Sequence, residues 1–293
     1  MGAVIIDGKK VSEDIRAEIR GRTARLLGKG VVPGLGVILV GDDPASVSYV
    51  TGKEKACAEN GLASFERRLP PTATEAEVVA VVEAFNRDPK VHGVLVQLPL
   101  PRGLDEKAVI GRIVPEKDVD GLTPINIGRM HLEEPCFIPC TPAGVIELVK
   151  RTGVAIDGAD VVVVGRSNLV GRPLVNLFSR KSLNATVTAC HTGTRDLAAH
   201  CRGADILVAC AGRAALITAD MIKPGACVID VGVNRVEDPS AKSGFRLKGD
   251  VDYKAALEVA GWITPVPGGV GPMTITMLLA NVTLAAERKA GLA

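Results

Sequence analysis

The sequence predicts an α/β protein of two domains, and three observations lead there. Short aliphatic runs alternate with amphipathic stretches along the whole chain. Aromatic residues make up only 3%, so Val, Ile, Leu and Ala must form the core, as they do around buried parallel strands. The 293 residues exceed what one core usually serves.

The elements follow in order. Ser12 to about Leu27 reads as an amphipathic helix with Ile15, Ile19 and Leu26 on its apolar face. Gly34–Val40 is a continuous aliphatic run and reads as a buried strand. Asp43 suits an N-cap and Pro44 the first turn of a helix that runs to Asn60, with Gly61 as its stop. Ala63–Leu69 reads as a strand, 75–86 as a helix and 93–98 as a strand ended by Pro99 and Pro101. The stretch 129–140 lacks periodicity and reads as a connection between domains. A helix then opens at Thr141-Pro142 and ends near Lys150. Strands are expected at 160–164, 186–190, 206–209 and 228–231, and a last helix from about Met273 to Lys289.

Composition narrows the function. With 47% hydrophobic and 23% charged residues the chain is globular, and a net charge of +2 with no basic block argues against nucleic acid or membrane surface as its partner. No signal peptide and no run of about 18 apolar residues is seen, so a cytoplasmic enzyme is expected. Seven cysteines without a framework fit reduced thiols. Cys190, Cys210 and Cys227 sit in or at the ends of apolar strands and read as small core residues. Cys136 and Cys140 near His131 match no zinc spacing, and Asp118 and Asp120 lack the rest of a calcium loop, so no metal is expected.

Four side chains invite chemistry. Tyr49 and Lys53 stand four apart on one predicted helix, so they share a face. A surface pair and a proton-handling pair both fit that spacing. Gln97 is a polar residue at the carboxyl end of an aliphatic strand, the end where ligands sit in open parallel sheets. A buried structural amide fits as well. Asp118 and Asp120 alternate about Val119, so in an extended segment one faces a ligand and the other solvent.

Asp160–Val164 leads through Gly165-Arg166-Ser167-Asn168-Leu169-Val170-Gly171 into an apolar helix. A glycine turn between strand and helix places phosphate on backbone amides. Ser167 stands where a second glycine is usual and Gly171 comes one residue late, but the strands that follow repeat a Rossmann-like series. The acidic residue that would bind a ribose is replaced by Cys190-His191-Thr192, and Arg166 and Arg195 are at hand. This favours NADP over NAD, while Arg166 also fits a plain loop residue.

Six motifs in order complete the picture: Tyr49-Val50-Thr51-Gly52-Lys53, Val96-Gln97-Leu98-Pro99-Leu100-Pro101, Lys117-Asp118-Val119-Asp120-Gly121, Pro139-Cys140-Thr141-Pro142, the Gly165 turn, and Pro265-Val266-Pro267-Gly268-Gly269-Val270-Gly271-Pro272-Met273-Thr274. Together they make the chain resemble the bifunctional methylenetetrahydrofolate dehydrogenase/methenyltetrahydrofolate cyclohydrolase family over nearly its whole length. The resemblance implies NADP-dependent oxidation of 5,10-methylenetetrahydrofolate, then hydrolysis of the methenyl cation to 10-formyltetrahydrofolate. It implies Lys53 as the catalytic lysine, Gln97 as its orienting partner, Tyr49 as the residue stacking on the folate, and Asp120 as the carboxylate on the pterin edge. Val96, Leu98, Pro267, Gly268 and Gly271 would complete the folate site. Gly165, Arg166, Ser167, His191, Thr192, Val233 and Thr274 would hold the cofactor. Val233 stands where isoleucine is common, and relatives carry serine or arginine at the His191-Thr192 position.

The resemblance also implies a folate-binding catalytic domain at 1–139, completed by the C-terminal helix at 271–293. A Rossmann-like NAD(P) domain at 140–270, a cleft between the two, and a homodimer are implied with it. Two other readings stay open at this point: a monofunctional dehydrogenase with weak cyclohydrolase activity, and an inactive cofactor-binding scaffold. The intact Tyr49, Lys53, Gln97 and Asp120 set speaks against both.

Overall fold

A computed structural model describes residues 2–240 and 244–292. The chain opens with β1 (Val4–Ile5) and α1 (Gly8–Leu27). This helix starts before Ser12 because the Asp7 carboxylate accepts from the Lys9 and Lys10 amides at 3.0 and 3.1 Å, capping its first turn. Ile15, Ile19 and Leu26 are buried as their spacing requires. Next come β2 (Gly34–Val40), α2 (Pro44–Glu59), β3 (Ala63–Leu69), α3 (Glu75–Arg87) and β4 (Gly93–Val96). Asp43 caps α2 through the Ser46 amide at 2.8 Å, and Thr74 with Glu77 forms a capping box on α3. The strand β4 stops two residues short of the expected Leu98, so Gln97 and Leu98 lie just beyond the sheet.

After α4 (Glu106–Ile110), a 3-10 turn spans Pro115–Lys117 and α5 covers Pro124–His131. The stretch expected as a connection is therefore helical at its start. Then follow α6 (Cys140–Thr152), β5 (Asp160–Val164), α7 (Gly171–Ser179), β6 (Thr186–Cys190), α8 (Leu197–Arg202), β7 (Ile206–Ala209) and β8 (Cys227–Asp230). The hairpin β9 (Asn234–Glu237) and β10 (Phe245–Lys248), then α9 (Tyr253–Ala256), β11 (Trp262–Ile263) and α10 (Val270–Lys289), finish the chain.

The chain divides into two compact units. One comprises 1–13 and 141–274. Its sheet has the order β1-β11-β8-β7-β5-β6, with every pairing parallel. Val162, Leu207, Val228 and Ile263 pack into its core. The other comprises 14–140 and 275–293. It is built on the parallel sheet β3-β2-β4, with Ile38, Val82, Phe85 and Val94 in the core.

The division differs from the sequence expectation at the N-terminus. Residues 1–13 belong with the six-stranded sheet, because Val4 and Ile5 pair with Trp262 and Ile263 and extend that sheet's edge. Contrary to the hydropathy expectation, α10 is long and apolar enough, by length and composition, to cross a membrane. Half of that stretch is buried within the protein, and Thr276, Asn281, Thr283 and Glu287 are buried along it. Arg22 grips Glu287 through both carboxylate oxygens, at 3.0 and 2.6 Å. All seven cysteines are free thiols. Cys190 and Cys227 are buried in the core as expected, and Cys210 is half-buried.

Candidate active site

In the unit of 14–140 and 275–293, α2 carries Tyr49 and Lys53 one turn apart. Val50, Ala56 and Cys57 are buried and fix the rotation of the helix, while Tyr49 remains 57% exposed. The Lys53 ammonium donates to Gln97 Oε1 at 2.9 Å. The other end of that amide is committed, since Gln97 Nε2 donates to the Leu98 carbonyl at 2.6 Å. The oxygen is thereby held toward the lysine. Gln97 is itself anchored by its backbone amide on Ile38 of β2 at 2.9 Å. The end of β4 thus presents an oriented acceptor to a residue from a neighbouring helix.

Burial lowers the Lys53 pKa, and the charge of Asp120 opposes that shift. Cys140 adjoins the same group. Its thiol donates to the Val119 carbonyl at 3.5 Å, and burial, with the charge of nearby Asp120, pushes it well above the ordinary thiol range, so it stays protonated. Lys53, Gln97, Asp120 and Cys140 therefore gather around one point. Val96 ends β4 as a buried residue and Leu98 is half-buried beside Gln97.

The two aspartates do not alternate across an extended strand. Asp118 follows the 3-10 turn and is buried, 1% exposed, where its carboxylate accepts from the Leu122 and Thr123 amides at 3.1 and 2.8 Å and from Asn126 Nδ2 at 2.8 Å. It is a fold-holding carboxylate whose pKa is raised by burial, and it does not face solvent. Asp120 is the one beside Lys53. In the sequence Cys140 stands out only as a poor metal-ligand candidate and as part of the Pro139-Cys140-Thr141-Pro142 motif. Its proximity to Asp120 depends on the fold bringing 118–121 to 137–140, which no local pattern announces. Among the described residues no group of three or more His, Cys, Asp or Glu side chains could hold a metal ion.

The remaining sequence-selected residues lie in the other unit. There β5 ends at Val164 and is followed by Gly165, whose φ of +140° disfavours any other residue at that point. A Cβ at Gly171 would overlap the Gly165 carbonyl, so the turn into α7 closes only with two glycines. Ser167, in place of a glycine, turns its hydroxyl onto the amides of Val170 and Gly171 at 3.1 and 3.4 Å and so supports the helix start. Arg166 is exposed beside it.

At the end of β6, His191 Nδ1 accepts from the Gly193 amide at 3.0 Å, and the His191 amide donates to Thr194 at 2.8 Å, leaving Thr192 exposed. Val233 is 55% exposed after β8. Thr274 shares a hydrogen bond with Thr141 at 2.9 Å. Pro267 is exposed and Gly268 has φ +109°, whereas Gly271 is exposed in the first turn of α10 with open space around it. No packing within the protein demands a glycine at 271. The exposed Arg166, the tight Gly165 turn and the polar end of β6 suit a phosphorylated dinucleotide.

Residues 6–120 match the tetrahydrofolate dehydrogenase/cyclohydrolase catalytic domain, and 139–290 match the tetrahydrofolate dehydrogenase/cyclohydrolase NAD(P)-binding domain. The bifunctional protein FolD of Geobacillus thermodenitrificans is 56% identical over 290 residues, 99% of each chain. That of Moorella thermoacetica is 52% identical over 288 residues, 98% of this chain and 100% of the other. Among solved structures, the FolD methylenetetrahydrofolate dehydrogenase/cyclohydrolase of Campylobacter jejuni superposes with a TM-score of 0.93 at 42% identity, covering 98% of this chain and 99% of that one. The Trypanosoma brucei enzyme, complexed with NADP cofactor and an inhibitor, gives 0.94 at 41% identity over 100% of both.

Proposed function

We propose, from the premise that this chain belongs to the tetrahydrofolate dehydrogenase/cyclohydrolase family, that it carries out both reactions of that family in sequence. It oxidises 5,10-methylenetetrahydrofolate with NADP to the 5,10-methenyl cation and then hydrolyses the cation to 10-formyltetrahydrofolate. The observation that carries this reading is the Lys53–Gln97 hydrogen bond beside Asp120.

NADP, when bound, accepts a hydride from the methylene carbon. For this the residues of Gly165–Ser167, His191-Thr192, Val233 and Thr274 would hold it, with Arg166 favouring a 2′-phosphate. The chain's contribution to oxidation is orientation, because hydride transfer asks for alignment more than for acid–base help. Tyr49 offers an exposed ring for the folate to stack on. Asp120 offers a carboxylate to the paired N–H donors of the pterin edge. Pro267, Gly268 and Gly271, with Val96 and Leu98, complete the proposed folate contacts.

Hydrolysis adds water to a cationic carbon and opens a ring, so a proton must leave the water and reach a nitrogen. Lys53 suits both halves of that task. Its lowered pKa makes the neutral amine accessible as the acceptor, and a cationic substrate nearby pushes in the same direction. Gln97 keeps the amine pointed at one place through the transfer. We further propose a cytosolic homodimer acting on small folates, without nucleic acid or membrane. The net charge of +2 supports the absence of a nucleic-acid or membrane partner, and light scattering giving the 30.5 kDa of a single chain contradicts the dimer.

Mixing the protein with methylenetetrahydrofolate and NADP tests the reading. Methenyl absorbance is expected to rise and then decay faster than its uncatalysed hydrolysis. Persistent methenyl indicates a monofunctional dehydrogenase, and no rise overturns the proposal.

A further inference from the structure

An asparagine stands in the middle of the most apolar helix of the chain, within Leu278-Leu279-Ala280-Asn281-Val282 of α10. Its side chain is buried, with the residue 9% exposed. Burying an amide is unfavourable unless its hydrogens find acceptors, and a Leu at that place would suit the core better. Asn281 Nδ2 donates to the Val119 carbonyl at 2.8 Å and to the Ile138 carbonyl at 3.2 Å, and it lies 3.8 Å from Cys140 Sγ. Both carbonyls belong to loops that reach the site. The Val119 carbonyl is part of the peptide unit that leads into Asp120, so its orientation sets the direction in which the Asp120 side chain leaves the backbone. Cys140, two residues after Ile138, joins the two loops, since its thiol donates to the Val119 carbonyl at 3.5 Å.

The same turn is held at its other end by Asp118, which takes the Leu122 and Thr123 amides. It is closed by the Gly121 amide on the Asp118 carbonyl at 3.0 Å. Gly121, at φ +68°, lets the two loops press together, since a Cβ there would lie 2.7 Å from the Phe137 carbonyl and 2.8 Å from the Pro139 nitrogen. The turn that carries Asp120 is thereby held from both sides.

We propose that Asn281 is a positioning residue for the reaction site: by clamping the Val119 and Ile138 carbonyls it holds Asp120 and Cys140 in place against Lys53. This rests on the function proposed above, in which Asp120 binds folate. The hydrogen bonds of Asn281 go to the two loops and not to Lys53 or Gln97. A role confined to stability would weaken the fold without selecting folate over NADP. A positioning role affects folate recognition and the surroundings of Lys53 and spares the cofactor.

The test compares Asn281→Ala and the near-isosteric Asn281→Asp with Thr283→Val, which perturbs the same helix. The Thr283 hydroxyl bonds the Leu279 carbonyl of its own helix. Asn281→Ala is expected to raise the KM for methylenetetrahydrofolate about tenfold, with that for NADP unchanged, while Thr283→Val moves neither. In an Asp120→Asn background the Asn281→Ala effect is expected to shrink to less than about twofold, because both changes act on one carboxylate. Equal effects on both KM values, equal effects from Thr283→Val, or full additivity with Asp120→Asn overturn the positioning role. Should Asn281→Ala fail to fold, Asn281→Asp keeps the volume and removes the donors, and the same outcomes apply. A second readout needs no activity: the Lys53 titration followed by 15N NMR in the substrate-free protein. A changed titration in the Asn281 variant supports the clamp even if the assigned reaction is wrong, and an unchanged one overturns it even if the assigned reaction is right.

Discussion

Lys53 meets the oxygen of the Gln97 amide because the Leu98 carbonyl has taken the nitrogen, and this small constraint aims the lysine. Burial lowers the Lys53 pKa and the charge of Asp120 opposes it; an acceptor such as Gln97 Oε1 favours the charged amine as well. Gln97→Ala is therefore expected to move the rising limb of the hydrolysis pH–rate profile toward lower pH. Gln97→Glu is expected to move it toward higher pH by adding a negative charge. Steady-state rates across pH check both, and two shifts of the same sign contradict this role for Gln97. At this scale the sequence was informative where geometry is local. Tyr49 and Lys53 share a helical face by spacing alone. It misjudged Asp118, because burial and three hydrogen-bond donors are supplied by residues that fold around it and not by its neighbours in an extended strand. Asn281 had a faint signal, a lone amide inside an apolar helix, whose meaning depends on which carbonyls it faces.

The sheet of β3, β2 and β4 carries the site at one end and a buried histidine at the other. His92 precedes β4, and its Nδ1 accepts from the Gly34 amide at the start of β2, at 3.1 Å. Burial, with Lys289 and Lys117 adding repulsion, lowers its pKa to about 4 from 6.5, so the ring is neutral in the folded unit. Between those values the unfolded chain binds the proton and the folded one does not. Stability from this group is thus full above pH 6.5 and lost as the pH falls toward 4. His92→Asn, which retains an acceptor for the Gly34 amide, is expected to flatten that part of the stability curve in urea titrations. A slope equal to that of the unmodified protein contradicts it.

The strands of five to seven residues were readable from their sequence, because Val, Ile and Leu runs bounded by glycine or proline leave few alternatives. The two-residue strands β1 and β11 were not, since they have no period and exist only by pairing with each other and with β8. The hairpin of β9 and β10 is half-exposed and mixed in polarity, and it was missed for the same reason.

The whole molecule consists of two compact units whose boundaries fall within α1, at the start of α6 and within α10. The first thirteen residues lie in a different unit from the one their place in the sequence suggests. Their place was hidden because β1 pairs with β11, near the far end of the chain. Under the proposed function, the unit bearing Lys53 and the unit bearing the Gly165 turn would give the two reactions separable requirements: proton movement from one and cofactor binding from the other. The Lys53→Met variant separates them. Its hydrolysis of added methenyltetrahydrofolate, followed by absorbance with NADP binding checked in parallel, is predicted to fall to the uncatalysed rate while the cofactor still binds. Hydrolysis by that variant at the rate of the unmodified protein contradicts Lys53 as the residue that moves the proton.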